Sequence, residues 1–381
     1  MADFPNKPKV AVLVSTANGW GRNIIKGILS YASEVAPWQL SLRSSELESF
    51  YSIPKDWNGD GIIGRISDPA LAEEIKRTGL PVVDVSDTSL SGFSSPCFRT
   101  DDLAGTKMAI DHFKERGLKN FAIVGPLDKP NPQWYTEAYR SHLATLGHTC
   151  ETFTLEDIDK DQSAKFIDWL QKLPKPVGIL TWGHNFAMKT VSTCMDIGIS
   201  VPHDIAVLSG DYDELLSNAC FPALAGIMLP TEQIGYRAAQ TLHRILEGEP
   251  IEDSITYIPP LGIQPGPSTD MLATDDPRMV EVVTFIREHA FAQITMKDII
   301  KKVPMARRSL ERRFQLAFGH SPSDEIRRIR MVHARELLVK TTLPMQQIAE
   351  ACGYATYNHL TTVFKKHVGC TPRDYRKRYR K

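Results

Sequence analysis

The sequence predicts a two-lobed α/β domain followed by a purely α-helical one, and three observations carry that division. Between Lys9 and Ile263, six short β-branched runs alternate with stretches of helical apolar spacing. Past Pro277 no strand pattern recurs. The formal net charge of the 381 residues is zero, yet residues 275–381 carry 22 Lys and Arg against 11 Asp and Glu, while residues 1–274 carry 23 against 34. An acidic unit is therefore joined to a basic one. A basic unit of that size suits phosphate, because each neutralised phosphate releases condensed counterions.

The runs VAVLV (10–14), GIIG (61–64), PVVDV (81–85), FAIVG (121–125), VGIL (177–180) and IAVLS (205–209) are apolar on both faces, as buried parallel strands require. Segments 23–35, 103–116, 164–173, 187–198 and 231–246 show helical spacing between them. Some 250 residues of strand-helix alternation suit two lobes, with the cleft between them as the default ligand site. The apolar face of 231–246 suits either the core or a dimer contact. Residues 259–277 hold five prolines and three Asp, which predicts no regular element there. The expected units are 9–265, a linker at 266–277, and 278–381.

Other classes are disfavoured. The apolar run 10–14 is too short for a signal segment and no stretch approaches the length of a membrane span, so a cytoplasmic chain is expected. Six scattered cysteines lack a CxxC or zinc spacing, so reduced thiols and no metal or other cofactor are expected. GDGIIG (59–64) spells GxGxxG but precedes no helix start, and Gly19-x-Gly21 is followed by Ile24 where a third glycine belongs. With no P-loop, HExxH or GxSxG either, the chain does not read as an enzyme.

The basic half repeats one layout. Helical stretches are expected at 278–290, 296–303, 307–318, 322–340, 345–351, 356–368 and 372–379. Within them, 296–318 and 345–368 each give a short helix, a tight turn and a longer helix carrying Leu-x-x-x-Phe, followed by Gly. That is the helix-turn-helix plan, whose second helix enters the major groove of double-stranded DNA. Gly353 suits the second turn, Pro304 occupies the first, and Thr356 can cap the second recognition helix. Leu310, Phe314, Leu360 and Phe364 read as core. Opposite them lie Arg307, Arg308, Glu311 and Arg312, and then Tyr357, Asn358, Thr361 and Thr362. Arg pairs with guanine, Asn with adenine, Glu with cytosine and a Thr methyl with thymine. Arg327, Arg328, Arg330, Lys365, Lys366, Arg373, Arg376, Arg378 and Arg380 are expected to hold phosphates or stay solvated.

The ordered series Arg330, Ala334-Arg-Glu-Leu-Leu338, Ile348-Ala, Gly353-Tyr, Phe364-Lys-Lys, Gly369 and Thr371-Pro-Arg-Asp-Tyr-Arg376 resembles the AraC-type DNA-binding module. The resemblance implies two recognition helices in successive major grooves. Ala306 departs from the usual Ser cap, and Thr362 stands where Arg is common.

Residues 9–265 resemble the sugar-binding region of LacI/GalR-type repressors and of periplasmic binding proteins. The resemblance rests on Trp57-Asn-Gly-Asp-Gly-Ile-Ile63, Thr100-Asp101, Val201-Pro-His-Asp-Ile-Ala-Val207 with Asp211, and Leu229 into the helix closed by Leu246-Glu-Gly248. Followed by Pro259-Pro260, Ser268-Thr-Asp270 and the AraC-type module, this order resembles xylose-operon regulators of the XylR type over nearly the whole chain. Strand ends offer Trp20, Arg22, Arg65, Asp101, Trp134, His184 and Asp211 to a small sugar effector, with Asp101 and Asp211 on family contact positions. Arg22 and Arg65 are alternatively bridges between lobes. Ala138 replaces a common sugar-binding Arg, and Gly183-His184 an Asn-Asp or Thr-Asp pair. The resemblance implies sugar-dependent DNA binding by a homodimer. A cytoplasmic sugar-binding protein without specific DNA recognition is the competing reading.

Overall fold

A computed structural model of the chain describes residues 7–35, 37–42, 53, 57–126, 130–155, 160–271, 274, 276–292, 294–318 and 320–379. Arg380, and Gly319 after the first helix-turn-helix, lie outside these residues, as does the side chain of Arg378.

The first lobe opens with β1 (Lys9–Leu13), α1 (Gly19–Glu34), β2 (Gln39–Leu42), β3 (Gly61–Gly64), α2 (Pro69–Thr78), β4 (Val82–Asp84) and β5 (Cys97–Thr100). The chain then crosses to the second lobe, which holds α3 (Asp102–Lys114), β6 (Asn120–Gly125), α4 (Pro130–Thr145), β7 (Cys150–Thr154), α5 (Lys160–Lys172), β8 (Val177–Thr181), α6 (His184–Asp196), β9 (Ile205–Ser209), α7 (Glu214–Ala219) and β10 (Ala225–Met228). It returns for α8 (Thr231–Leu246) and β11 (Ile255–Ile258), then crosses a third time to β12 (Gly262–Gln264). The sheets run β11-β5-β4-β3-β1-β2 and β12-β10-β9-β8-β6-β7. Every observed pairing is parallel except that of β12.

Both faces of each sheet are covered, which is why the strands read as unbroken apolar runs. In β1, Val10 and Val12 face Ile24 and Ile28 of α1 with Ile234, Ala238 and Leu242 of α8, while Ala11 and Leu13 face Leu71 and Ile75 of α2. The apolar face of α8 is thus intramolecular core. In the second lobe Phe121 and Ile123 meet Ile110, Phe113 and Tyr139, and Ala122 and Val124 meet Phe166, Leu170 and Val191.

Regular structure also enters the proline-rich stretch where none is expected. Residues 262–264 pair antiparallel with β10, and Pro267–Thr269 forms a 3-10 turn. Ser268, fully buried, donates to Val207 O at 2.6 Å and accepts from Ala225 N–H at 2.9 Å. The strand edge and this hydroxyl supply the backbone partners that the prolines lack.

The third unit comprises α9 (Pro277–His289), α10 (Met296–Lys302), α11 (Arg307–Phe318), α12 (Pro322–Lys340), α13 (Met345–Ala351), α14 (Tyr357–Val368) and α15 (Pro372–Tyr379). It has two cores. Leu310, Phe314 and Phe318 pack on α9 and α10, whereas Leu360 and Phe364 pack on Ile348, Ala349, Ala334 and Leu338. The helix α12 contributes Ile326 to the first core and Met331, Ala334 and Leu338 to the second, so it fixes one helix-turn-helix relative to the other. Gly353 has φ +76° and the side chain of Thr356 accepts from His359 N–H, as the turn and cap require.

α1 and α8 approach through glycines. A Cβ on Gly235 would lie 2.0 Å from Ile24 O, and one on Gly27 2.0 Å from Glu232 O. Gly235→Ala therefore forces the helices apart and is expected to destabilise the first lobe by about 1–3 kcal/mol. Chemical denaturation checks this, and an unchanged unfolding midpoint would refute it.

Candidate ligand cleft and nucleic-acid interface

The strand ends of the two sheets face each other across a cavity of about 630 Å³. Four of the seven residues expected at the ligand site line it: Trp20 and Arg22 from the start of α1, His184 from the start of α6, and Asp211 after β9. The start of α6 holds Asp211. Gly183, the N-cap of α6, supplies no side-chain cap of its own. The carboxylate instead accepts from His184 N–H at 2.6 Å and lies 2.9 Å from His184 Nδ1, placing an anion at a helix N-terminus. Ser209 Oγ donates to it at 3.2 Å. Burial opposes charging of His184, but the Asp211 hydrogen bond and charge outweigh burial, so its pKa is raised above the ordinary value.

Arg22 links the lobes. Its Nη1 donates to Thr16 O and Ala17 O at 3.1 and 2.9 Å, and its Nη2 lies 3.5 Å from Asp213 Oδ2 on the second lobe. Asp213 also caps α7, accepting from Leu215 and Leu216 N–H. A Cβ on Gly19 would come 2.4 Å from Asp213 Oδ2, so only glycine allows this contact. Arg65 makes contacts within the first lobe. It pairs with Asp87 at 3.2 Å, and its guanidinium carbon lies 5.3 Å from the Trp20 ring centroid. That contact presses Trp20 into place at the rim.

Asp101 and Trp134 take other positions. The Asp101 side chain caps α3, accepting from Ala104 N–H at 3.0 Å. Its neighbour Asp102 is pushed up to about 7 by burial, with Asp87 and Asp101 adding like charge. Trp134 is 58% exposed on α4 and outside the cavity lining. One residue on, a helical step of about 100° turns Tyr135 inward. There it packs on Trp182, and its buried hydroxyl has no hydrogen-bond partner among the described residues. Burial raises the Tyr135 pKa, and Asp102 and Asp211 add to the shift, which places the phenol near both carboxylates. Sequence reasoning did not single out Asp213, Asn23 and Lys26, which also line the cavity.

The second surface belongs to α11 and α14. Arg307, Arg308 and Arg312 are exposed, and Arg307 Nε donates to half-buried Glu311 at 2.9 Å. On α14, Asn358 and Thr362 are exposed, while Thr361 is half-buried and Tyr357 packs at the rim of the second core. Three arginines expected at phosphate or in solvent have internal employment. Arg330 donates to Ala290 O at 2.7 Å and lies over Tyr354, Arg376 donates to Leu343 O at 2.7 Å, and Arg328 is held between two carboxylates. Buried carbonyls and carboxylates near these guanidiniums require donors, which overrides phosphate binding. Among the described residues no group of His, Cys, Asp and Glu could hold a metal, and no helix is long and apolar enough to cross a membrane.

Comparison with known proteins agrees with this two-part architecture. Residues 9–96 match the XylR N-terminal domain, 110–269 the periplasmic binding protein-like domain and 299–378 the helix-turn-helix domain. The xylose operon regulatory protein of Escherichia coli K12 is 28% identical over 384 residues, covering 98% of each chain. That of Haemophilus influenzae is 26% identical over 379 residues, covering 97% of this chain and 98% of its own. A solved structure of the xylose-binding transcription activator xylR aligns with TM-score 0.62 at 26% identity, covering 99% of this chain and 100% of that one. A LacI family regulator from Enterococcus faecium with bound ribose shares the sensor fold, with TM-score 0.57 at 20% identity over 69% of this chain and 99% of its own. Over nearly its whole length the chain thus has the organisation of the XylR-type regulators of the AraC family, a periplasmic-binding-protein-like sensor joined to a helix-turn-helix DNA-binding domain in one polypeptide.

Proposed function

We propose that the chain is a sugar-responsive transcription activator of pentose-utilisation genes, working in the cytoplasm as a homodimer on double-stranded DNA, with a xylose-like effector. The observation that carries this reading is the union in one chain of a polar interlobe cleft with two helix-turn-helix units presenting Arg308, Arg312 and Asn358 outward. In the cleft, Asp211 and His184 offer hydrogen-bonding groups to sugar hydroxyls, and the Trp20 ring suits the apolar face of a pyranose. A ligand touching both lobes favours closure, and closure alters DNA binding only through differential affinity for the two arrangements.

A thermal-shift screen of D-xylose, L-arabinose, D-ribose and D-glucose identifies the effector, since binding raises apparent stability by mass action. Arg308 and Arg312 are assigned to bases. Changing both to Ala is expected to lower the ratio of operator to non-specific affinity by roughly 100-fold or more, at about 1–3 kcal/mol per lost bidentate contact. Sugar affinity by calorimetry should remain within about twofold, since neither residue lies near the cleft lining. An unchanged ratio in fluorescence-anisotropy titrations would show that these side chains do not read sequence.

The Asp211–His184 pair makes a pH-dependent prediction. The folded pKa of His184 is raised, so the pair stabilises the native state below the unfolded value near 6.5 and loses this contribution as pH rises through the folded value. In Asp211→Asn the His184 titration followed by NMR should move to lower pH. The stability gap between variant and native should narrow from pH 5 to pH 9, whereas a constant gap would deny the linkage.

A further inference from the structure

The sensor touches the DNA-binding domain through a chain of half-buried charges arranged about one fully buried carboxylate. At the C-terminal end of α3, Glu115 Oε2 lies 3.0 Å from Arg328 Nη1 on α12. The same guanidinium donates from Nε and Nη2 to Glu325 at 2.8 and 2.9 Å. Glu325 is fully buried and has a second cationic partner, His320, whose Nε2 is 3.1 Å away. His320 Nδ1 lies 2.8 Å from Phe318 O, the last residue of α11. Both contacts of that ring face acceptors, so the imidazole makes them together only as a double donor. The series therefore runs without a gap from the second lobe to the C-terminal end of the first recognition helix.

The other end of α3 lies at the hinge. Its cap Asp101 follows the first crossing between lobes, and Asp101 N–H donates to Ile258 O of the third crossing at 2.9 Å. Beside Glu115, Arg116 donates to Thr269 O at 2.6 Å, and His112 lies 2.9 Å from Thr269 Oγ1. Asp270, next in the chain, pairs with Arg287 of α9 at 3.3 Å. One rigid helix thus spans from hinge to DNA-binding domain, and its far end grips both α12 and the connecting segment.

We infer that Glu115 and Arg328 are positioning residues that transmit lobe closure to the first recognition helix, through the path Glu115–Arg328–Glu325–His320. This inference rests on the sugar-dependent DNA binding proposed above. Arg328 is held at once by Glu115 and by two hydrogen bonds to the fully buried Glu325, which leaves its guanidinium few alternative geometries, so a shift of α3 repositions α12 as a unit. Because α12 enters both cores of the DNA-binding domain, the displacement reaches both helix-turn-helix units.

The test uses the full chain and Glu115→Gln, which keeps shape and removes the charge. Operator affinity is measured by anisotropy with and without saturating D-xylose, and D-xylose affinity by calorimetry with and without operator. Native chain should show one coupling factor in both directions, as linkage demands. In Glu115→Gln, D-xylose affinity of the DNA-free protein should stay within about twofold while the coupling factor falls by roughly 2- to 30-fold. Glu115→Asp, which keeps the charge, should recover part of it. A merely structural role would lower the unfolding midpoint and leave the coupling factor unchanged, and that result overturns the inference. Absence of coupling in the native chain would instead sink the functional reading on which the inference stands.

Discussion

The arrangement depends on one constraint: each sheet is hydrogen-bonded within itself, and the two are covalently joined only where the chain crosses between them. The crossings are tied to each other by Asp101 N–H to Ile258 O and Leu261 N–H to Met228 O. They can flex together without breaking a ladder in either lobe. Across the cleft the described polar contact is Arg22 to Asp213, a long and partly exposed pair of small energetic weight. A ligand bridging the lobes therefore competes with little intrinsic stability, and its own contacts can decide the interlobe geometry.

That hinge explains where the polar groups stand. Asp211 follows a strand of the second lobe and Trp20 begins a helix of the first, so both meet at strand ends, where the backbone leaves the sheet. Gly19 is functional in the same sense. It removes a Cβ that would come 2.4 Å from the Asp213 carboxylate, and it lies at a helix N-terminus that welcomes that negative charge.

In the DNA-binding domain the same cation type has two uses. Arg308 and Arg312 stand in solvent on the face opposite Leu310 and Phe314, whereas Arg328, Arg330 and Arg376 satisfy internal acceptors. Glu325 makes the reason plain. A carboxylate removed from water needs charged donors, and Arg328 with His320 provides them. Charge counting along the sequence reports both groups equally, so it identified a basic domain but overestimated the surface available to phosphate.

Much of the fold was legible because its signals are local. Periodicity and capping place residues 231–246, 307–318, 322–340, 345–351 and 372–379 in helices with the bounds the structure has. Strands buried on both faces were clear where the run is β-branched, as in GIIG and IAVLS, but the central β10, Ala-Gly-Ile-Met, was missed. Strands β2, β7 and β11 were not clear, since sheet edges carry polar residues such as Gln39, Glu151 and Thr256 that break the apolar run. At the cleft, His184 and Asp211 were both named from the sequence, but not their bond to each other. Asp101 was named too, and the structure uses it to cap α3, while Trp134 stands exposed on α4, because no spacing rule settles where a side chain points without knowing what its helix packs against. The sequence alone determined the class, the order of units, and the two recognition helices, all consequences of short-range pattern and charge. Tertiary structure decided which carboxylate faces the cavity, which arginine is unavailable to DNA, and how the sensor grips α12, because each depends on partners tens to hundreds of residues away along the chain.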